Sequence, residues 1–323
     1  MTVQRGKVLA MTGYPVILGE RSFSFRIQMI RRTMTDFARV FFALLFILSC
    51  NPANSGPHTS SQKAIRFGVL SIAPPARILA KWQPFADYLS ENLGRPVRIV
   101  VPRGFGRMKA AVKNVQVDFF YINSYVFYRL KQAGQAVGVA QMVNLDGKST
   151  SRSEVFVRSD SGISHIDDLK GKTIAYVSPM GAGGYMAPRA YLRTHGVASG
   201  KSVHEVFTKN LSSSIHKVLL KDTTAASMCG VNFRLMGEKV DTGELNIIAI
   251  SDPYPENLIA ARPELDPELI RRFRETVVNM PETPEGSEVL VRMSSMKVKR
   301  FVRYDPALET ITRNMLKQAG LPQ

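Results

Sequence analysis

The stretch that most constrains this chain is residues 167–196, DDLKGKTIAYVSPMGAGGYMAPRAYLRTHG. An acidic turn leads into an apolar run at 173–177. A corner of Gly181, Ala182, Gly183 and Gly184 follows, then a helix-spaced segment to His195 with Gly196 as its C-cap. Strand, glycine turn and helix in that order make an α/β unit. The turn leaves backbone N–H groups unpaired at a helix N-terminus, and those donors, with the helix dipole, favour an anion. Such turns also occur in α/β folds without a ligand, so the corner specifies a fold before it specifies a function.

The rest of the chain repeats the alternation. Strand-like runs fall at 65–71, 97–101, 117–122, 137–143, 154–158, 203–207, 225–228 and 245–250. Helical spacing falls at 76–93, where Pro84 marks a start or a kink, and at 105–113, 124–132, 213–220, 233–239 and 267–278. From 288 onward the pattern reads as helices ending near 318. Strands alternating with helices predict a mainly parallel sheet covered on both faces. The polar run 147–153 precedes a strand that crosses to a second lobe, and Asp252-Pro253-Tyr254-Pro255 reads as the return crossing. The expected organisation is a first lobe begun by 65–152, a second lobe at 153–250, and a return to the first lobe with C-terminal helices at 251–323.

The N-terminus reads as an address. Nine apolar residues at 40–48 are too few to span a bilayer and suit a signal-peptide core, preceded by Arg31, Arg32 and Arg39. Ile47-Leu48-Ser49-Cys50 resembles a bacterial lipobox, in which the cysteine is lipidated; a plain signal peptide with an incidental cysteine is the alternative. Residues 50–64 are polar and rich in Pro, Gly and Ser, a tether that holds a folded body off a membrane. Met29 and Met34 offer starts that suit such a segment better than Met1, so 1–28 is expected to be an unstructured upstream extension of the 1–49 leader.

Charge narrows the partners. The chain carries a net +17, and residues 1–49 hold seven Lys/Arg against Glu20 and Asp36, so twelve excess charges remain beyond it. The basic residues are dispersed, with no Lys/Arg block interleaved with aromatics, which argues against nucleic acid and for a basic surface or small anions. Cys50 and Cys229 are the only cysteines; their count permits a disulfide, but the lipobox gives Cys50 another role. The five histidines form no HxxxH or HExxH pair, no GxSxG occurs, and no metal, cofactor or catalytic constellation is expected.

Several fragments now coincide in order: FGVLS, a following Pro and Trp82, YLSENLGRPV, VDFFYINSYVF, VRSDSGISHIDDLKGKTIAY and GYMAPRAYLRTHGV. Over about 65–323 the chain resembles the phosphate/phosphite/phosphonate-binding lipoproteins of ABC transporters. The resemblance implies a two-lobed type II periplasmic-binding-protein fold, two crossing hinge segments and an anion cleft between the lobes. It implies a solute-binding lipoprotein in the periplasm or cell envelope, anchored through Cys50, that serves an ABC permease. A diverged sensory protein reporting to a membrane receptor or kinase is the alternative.

The family grips its ligand with Ser-Thr-Ser hydroxyls and helix N–H groups at the corner. Here those positions are Gly181, Ala182 and Gly183, followed by Gly184, so only the backbone donors remain. A Ser-His-Asp run that opens a later helix in the family is replaced by Leu211, Ser212 and Ser213, and the aspartate of a following strand falls near Ala225. A first-lobe cleft tyrosine appears as Phe105, while Tyr121, Asn123, Ser124 and Tyr125 stand where the family's first-lobe cleft loop runs. Arg103, Arg107 and Arg152 lie close to cleft loops. The expected ligand is a small anion of the phosphonate, phosphite or phosphate kind, and the smaller, less polar corner leaves room for one that is bulkier or less densely charged.

Overall fold

In the computed structural model, which describes residues 63–70, 75–198 and 202–322, the chain begins with strand β1 (Ile65–Val69) and helix α1 (Pro75–Leu93). There follow β2 (Val97–Val100), α2 (Phe105–Lys113), β3 (Phe119–Ile122), α3 (Ser124–Gln132) and β4 (Val137–Asn144). β5 (Thr150–Ser151) leads out to β6 (Ser153–Arg158), β7 (Thr173–Tyr176), α4 (Ala187–Thr194), β8 (His204–Phe207), α5 (Leu211–Leu219), β9 (Ala225–Cys229), α6 (Gly230–Gly237) and β10 (Leu245–Ile250). β11 (Tyr254–Pro255) leads back to β12 (Leu258–Ala261), α7 (Pro267–Val278), α8 (Pro284–Met293), β13 (Val298–Arg303) and α9 (Leu308–Gln318). The leader and Cys50 lie outside the described residues.

Two helix-flanked sheets result. One has the order β13-β4-β12-β3-β1-β2 and the other β10-β6-β9-β7-β8, while β5 and β11 pair antiparallel as the two crossing strands. As expected, most strands of each sheet run in one direction; β12 and β13 in the first and β6 in the second run against them. Parallel pairing is confined to β2-β1-β3 and to β8-β7-β9, and the strands next to the crossings run antiparallel. The physical reason is the crossing itself: a chain that leaves one sheet and returns re-enters it in the opposite direction.

Aromatic packing fixes the first lobe. Phe119 and Phe273 stack with centroids 3.8 Å apart, and Phe67 lies against Trp82 and Phe85. Each such ring withdrawn from water contributes roughly 1.5–3 kcal/mol. Helix α1 buries Ile78, Trp82, Phe85 and Leu89 on this core and continues through Pro84 without restarting there.

Within the stretch expected from 288 onward to be helical, the structure departs from that reading. Residues 298–303 form edge strand β13, whose Val298 and Phe301 are buried while Lys299 and Arg300 are exposed. A register shift between Val298 and Arg300 breaks the strict alternation that would have announced a strand. The final helix leaves the first sheet. Its Met315 and Leu316 share a core with Ala187, Ala190 and Leu192 of α4, and Lys131 of α3 pairs with its Glu309.

Candidate anion-binding cleft

The glycine corner is built by a missing proton. Pro188 has no N–H to offer the carbonyl of Gly184, so the ordinary helical register cannot close there. Residues 182–186 instead form one π-turn, in which Gly181 O receives the N–H of both Tyr185 and Met186 at 3.1 Å. The Ala187 N–H goes to Ala182 O, which frees the carbonyl of Gly183 as well. Both freed carbonyls are claimed by neighbouring strands: Ser153 Oγ of β6 donates to Gly183 O, and Ser227 Oγ of β9 donates to Gly184 O at 3.3 Å. The corner is thereby tied to the sheet through its carbonyls. The N–H groups of Ala182, Gly183 and Gly184 open the turn, and no acceptor among the described residues engages them.

Those donors face a cleft of about 360 Å³ lined by both lobes. Strands β1, β3, β7 and β9 all bring their C-terminal ends to it, through Val69, Tyr121, Val177 and Met228 with Cys229. That is the usual position of a ligand crevice in α/β sheets. Seven of the positions expected from sequence line this cleft: Phe105, Tyr121, Asn123, Gly181, Ala182, Gly183 and Gly184. Asn123 does more than line it. Its Oδ1 caps α3 by accepting from Val126 N at 2.8 Å, and its Nδ2 crosses to donate to Met180 O at 2.9 Å, beside the corner.

The other expected positions are elsewhere. Ser124 Oγ is buried and donates to Pro255 O at 3.0 Å, which ties α3 to the return crossing. Tyr125 is half-buried among side chains of both lobes. Ser212 and Ser213 are turned away because α5 begins two residues earlier than the apolar spacing predicts: Asn210 is its cap, accepting from Ser213 N at 2.7 Å, and Leu211 is what reaches the cleft. Arg103 and Arg107 do not line the cleft, and Arg152 Nη1 donates to Ser251 O at 2.9 Å, joining the two crossings. Ala225 lies at the far end of β9, three residues before the cleft end at Met228.

Sequence reasoning missed the polar floor. Glu256 is 1% exposed beneath the cleft. Its carboxylate accepts from Lys297 Nζ, from Ser151 Oγ and from Asn144 Nδ2, the last at 3.2 Å. Burial pushes the Glu256 pKa up, but the Lys297 charge and these three hydrogen bonds outweigh it and hold the group below its ordinary value. Burial opposes the charge of Lys297 in turn, and the neighbouring Cys229, Glu256 and Tyr121 reverse that and raise its pKa. The pair is charged and closed on itself. Lys297 holds a left-handed backbone (φ 62) between α8 and β13, within the segment expected to be helical, so its place was not legible. Trp82 also lines the cleft, its ring 4.7 Å from that of Tyr121.

A family described as the periplasmic substrate-binding protein of phosphonate ABC transporters matches residues 67–308. The phosphonates-binding periplasmic protein of Escherichia coli is 24% identical over 269 residues, covering 79% of this chain and 77% of that protein. The tetrathionate sensor histidine kinase TtrS of Salmonella typhimurium is 26% identical over 233 residues, 66% of this chain; those residues span only 39% of the kinase. Among solved structures, the chloride-bound XAC2383 of Xanthomonas citri superposes with a TM-score of 0.71 at 18% identity, covering 80% of this chain and 97% of that one. PhnD1 of Prochlorococcus marinus in complex with methylphosphonate gives 0.67 at 14% identity, covering 80% and 98%. Both likenesses are of fold: two α/β lobes about a cleft.

Proposed function

Because the chain belongs to the periplasmic substrate-binding proteins of phosphonate ABC transporters, we propose that it captures a small anion between its lobes and presents it to a membrane permease. The observation that carries this reading is the corner itself. Three unengaged N–H groups at Ala182, Gly183 and Gly184 stand on a cleft lined by Phe105, Tyr121 and Asn123 of the other lobe. Each charge-assisted bond to such a donor is worth roughly 1.5–3 kcal/mol. Binding that engages both lobes favours the closed arrangement, and a partner that recognises closure reads the ligand state. Without hydroxyls at 181–183, the corner itself offers backbone donors alone, which favours an anion less dense in charge than a phosphonate.

Cys50, at the end of a lipobox-like sequence, carries the lipid, and the 51–64 segment tethers the folded body to the membrane. A Cys50→Ser protein that moved from the membrane to the soluble fraction would support this, and one that stayed would contradict it. The solute reading is tested by thermal melting with methylphosphonate, phosphite, phosphate and tetrathionate. A ligand at about 100 times its Kd raises stability by about 2.7 kcal/mol. A panel that leaves the melting temperature unmoved sinks the proposal as stated.

A further inference from the structure

The cleft carries more positive charge than a single anionic group needs. Arg77, Lys81, Lys239 and Lys297 line it, and Glu256 is its one lining carboxylate among the described residues. Lys297 is consumed by Glu256. The remaining three have no ion-pair partner among the described residues, and they come from opposite sides: Arg77 and Lys81 from α1 of the first lobe, Lys239 from just beyond α6 of the second. They act on one another. Burial first, then the charges of Lys239 and Arg77, pull the Lys81 pKa below its ordinary value. Like charges brought together across a closing cleft oppose closure, and only an anion placed among them reverses the sign. Apolar surface shares the wall with these cations: Ile78 and Trp82 on α1, and Met236 near Lys239.

We infer that the cleft is built for an elongated dianion, one charged end on the N–H groups of 182–184 and the other among Arg77, Lys81 and Lys239, with an uncharged middle against Ile78, Trp82 and Met236. This rests on the anion-cleft reading above and narrows its substrate class. A compact oxoanion satisfies the corner and leaves the three cations facing each other. A two-ended anion satisfies both and removes the repulsion that resists closure.

The test holds the head group fixed and varies the second charge. Butane-1-sulfonate and butane-1,4-disulfonate, with methylphosphonate as a compact reference, are titrated calorimetrically into the protein at physiological salt, where distant surface charges are screened. The disulfonate is expected to bind at least about tenfold tighter than the monosulfonate, the scale of one charge-assisted hydrogen bond. Lys81→Met, which keeps the aliphatic stem, should bring the ratio of disulfonate to monosulfonate affinity down toward one. Lys239→Met serves as the second variant from the opposite lobe and should act in the same direction. If the monosulfonate or methylphosphonate binds and the disulfonate binds no tighter, the dianion inference is overturned and the anion cleft stands. If Lys81→Met and Lys239→Met weaken both sulfonates equally, the second subsite is overturned. If none of the three ligands binds, both readings fall together.

Discussion

Gly183 and Tyr254 are fitted to each other across the crossing: a Cβ at Gly183 would stand 1.9 Å from the Tyr254 hydroxyl and 2.3 Å from its ring. Tyr254 is buried in strand β11, so the side chain that excludes a Cβ from the anion corner belongs to the hinge. Gly183→Ala should therefore act as overpacking and destabilise by about 1–3 kcal/mol. Gly184→Ala, whose Cβ would meet nothing closer than 3.9 Å, should leave thermal stability near that of the parent. Equal melting temperatures for the two variants would contradict the fit. A serine at 183 meets the same obstacle, so the hydroxyl missing from this position cannot simply be restored.

The Lys297–Glu256 pair gives a second prediction. Lys297→Ala leaves a carboxylate that is 1% exposed without its charge partner and should cost about 3–5 kcal/mol in urea unfolding. Lys297→Met combined with Glu256→Gln removes both charges and should recover part of that loss. A double variant no more stable than Lys297→Ala would show that the pair is not the coupled unit described.

The same pair sets a pH dependence. The folded-state pKa of Glu256 is depressed, so its contribution is present above the ordinary value of 4.5 and is lost as pH falls through the lower folded value. Lys297 is raised, so its contribution persists at neutral pH and is lost only in strong alkali, above 10.5. Stability should be level near neutrality and fall in acid below about pH 4.5. Glu256→Gln, measured by denaturant unfolding across that range, should flatten part of the acid fall. An unchanged profile in the variant would assign the acid loss to other carboxylates.

Asn123 joins the lobes, and its loss should be felt twice. Asn123→Ala removes the α3 cap, costing about 1 kcal/mol, and removes the donor to Met180 O across the cleft. Asn123→Asp keeps an acceptor for the cap and loses the cross-cleft donor. It should hold stability closer to the parent yet still weaken ligand affinity, which calorimetry can separate from folding.

How much was legible follows from which signals are local. Strand, corner and helix at 167–196, α3 at 124–132 and α7 at 267–278 were readable because apolar spacing and turn residues lie within each segment. The corner's place on a cleft was implied by the family resemblance and by no local signal. The π-turn was not readable, although Pro188 was its signal. Asn210 caps α5, so the helix begins at Leu211, two residues before the apolar spacing predicts, and Ser212 and Ser213 do not line the cleft. Lys297, Glu256 and the facing cations Lys81 and Lys239 come from segments far apart in sequence, and nothing local announces that they meet.

Trp82 is the only tryptophan of the chain and lines the cleft, so its fluorescence reports on the site itself. The decisive measurement is a titration of small anions, phosphonates and disulfonates included, followed by Trp82 emission. A saturable change with one ligand per chain is expected, weakened by Asn123→Asp and unaffected by added chloride at equal ionic strength. Emission that stays flat across the panel, or that changes without saturating, would contradict the claim that this cleft binds a small anion.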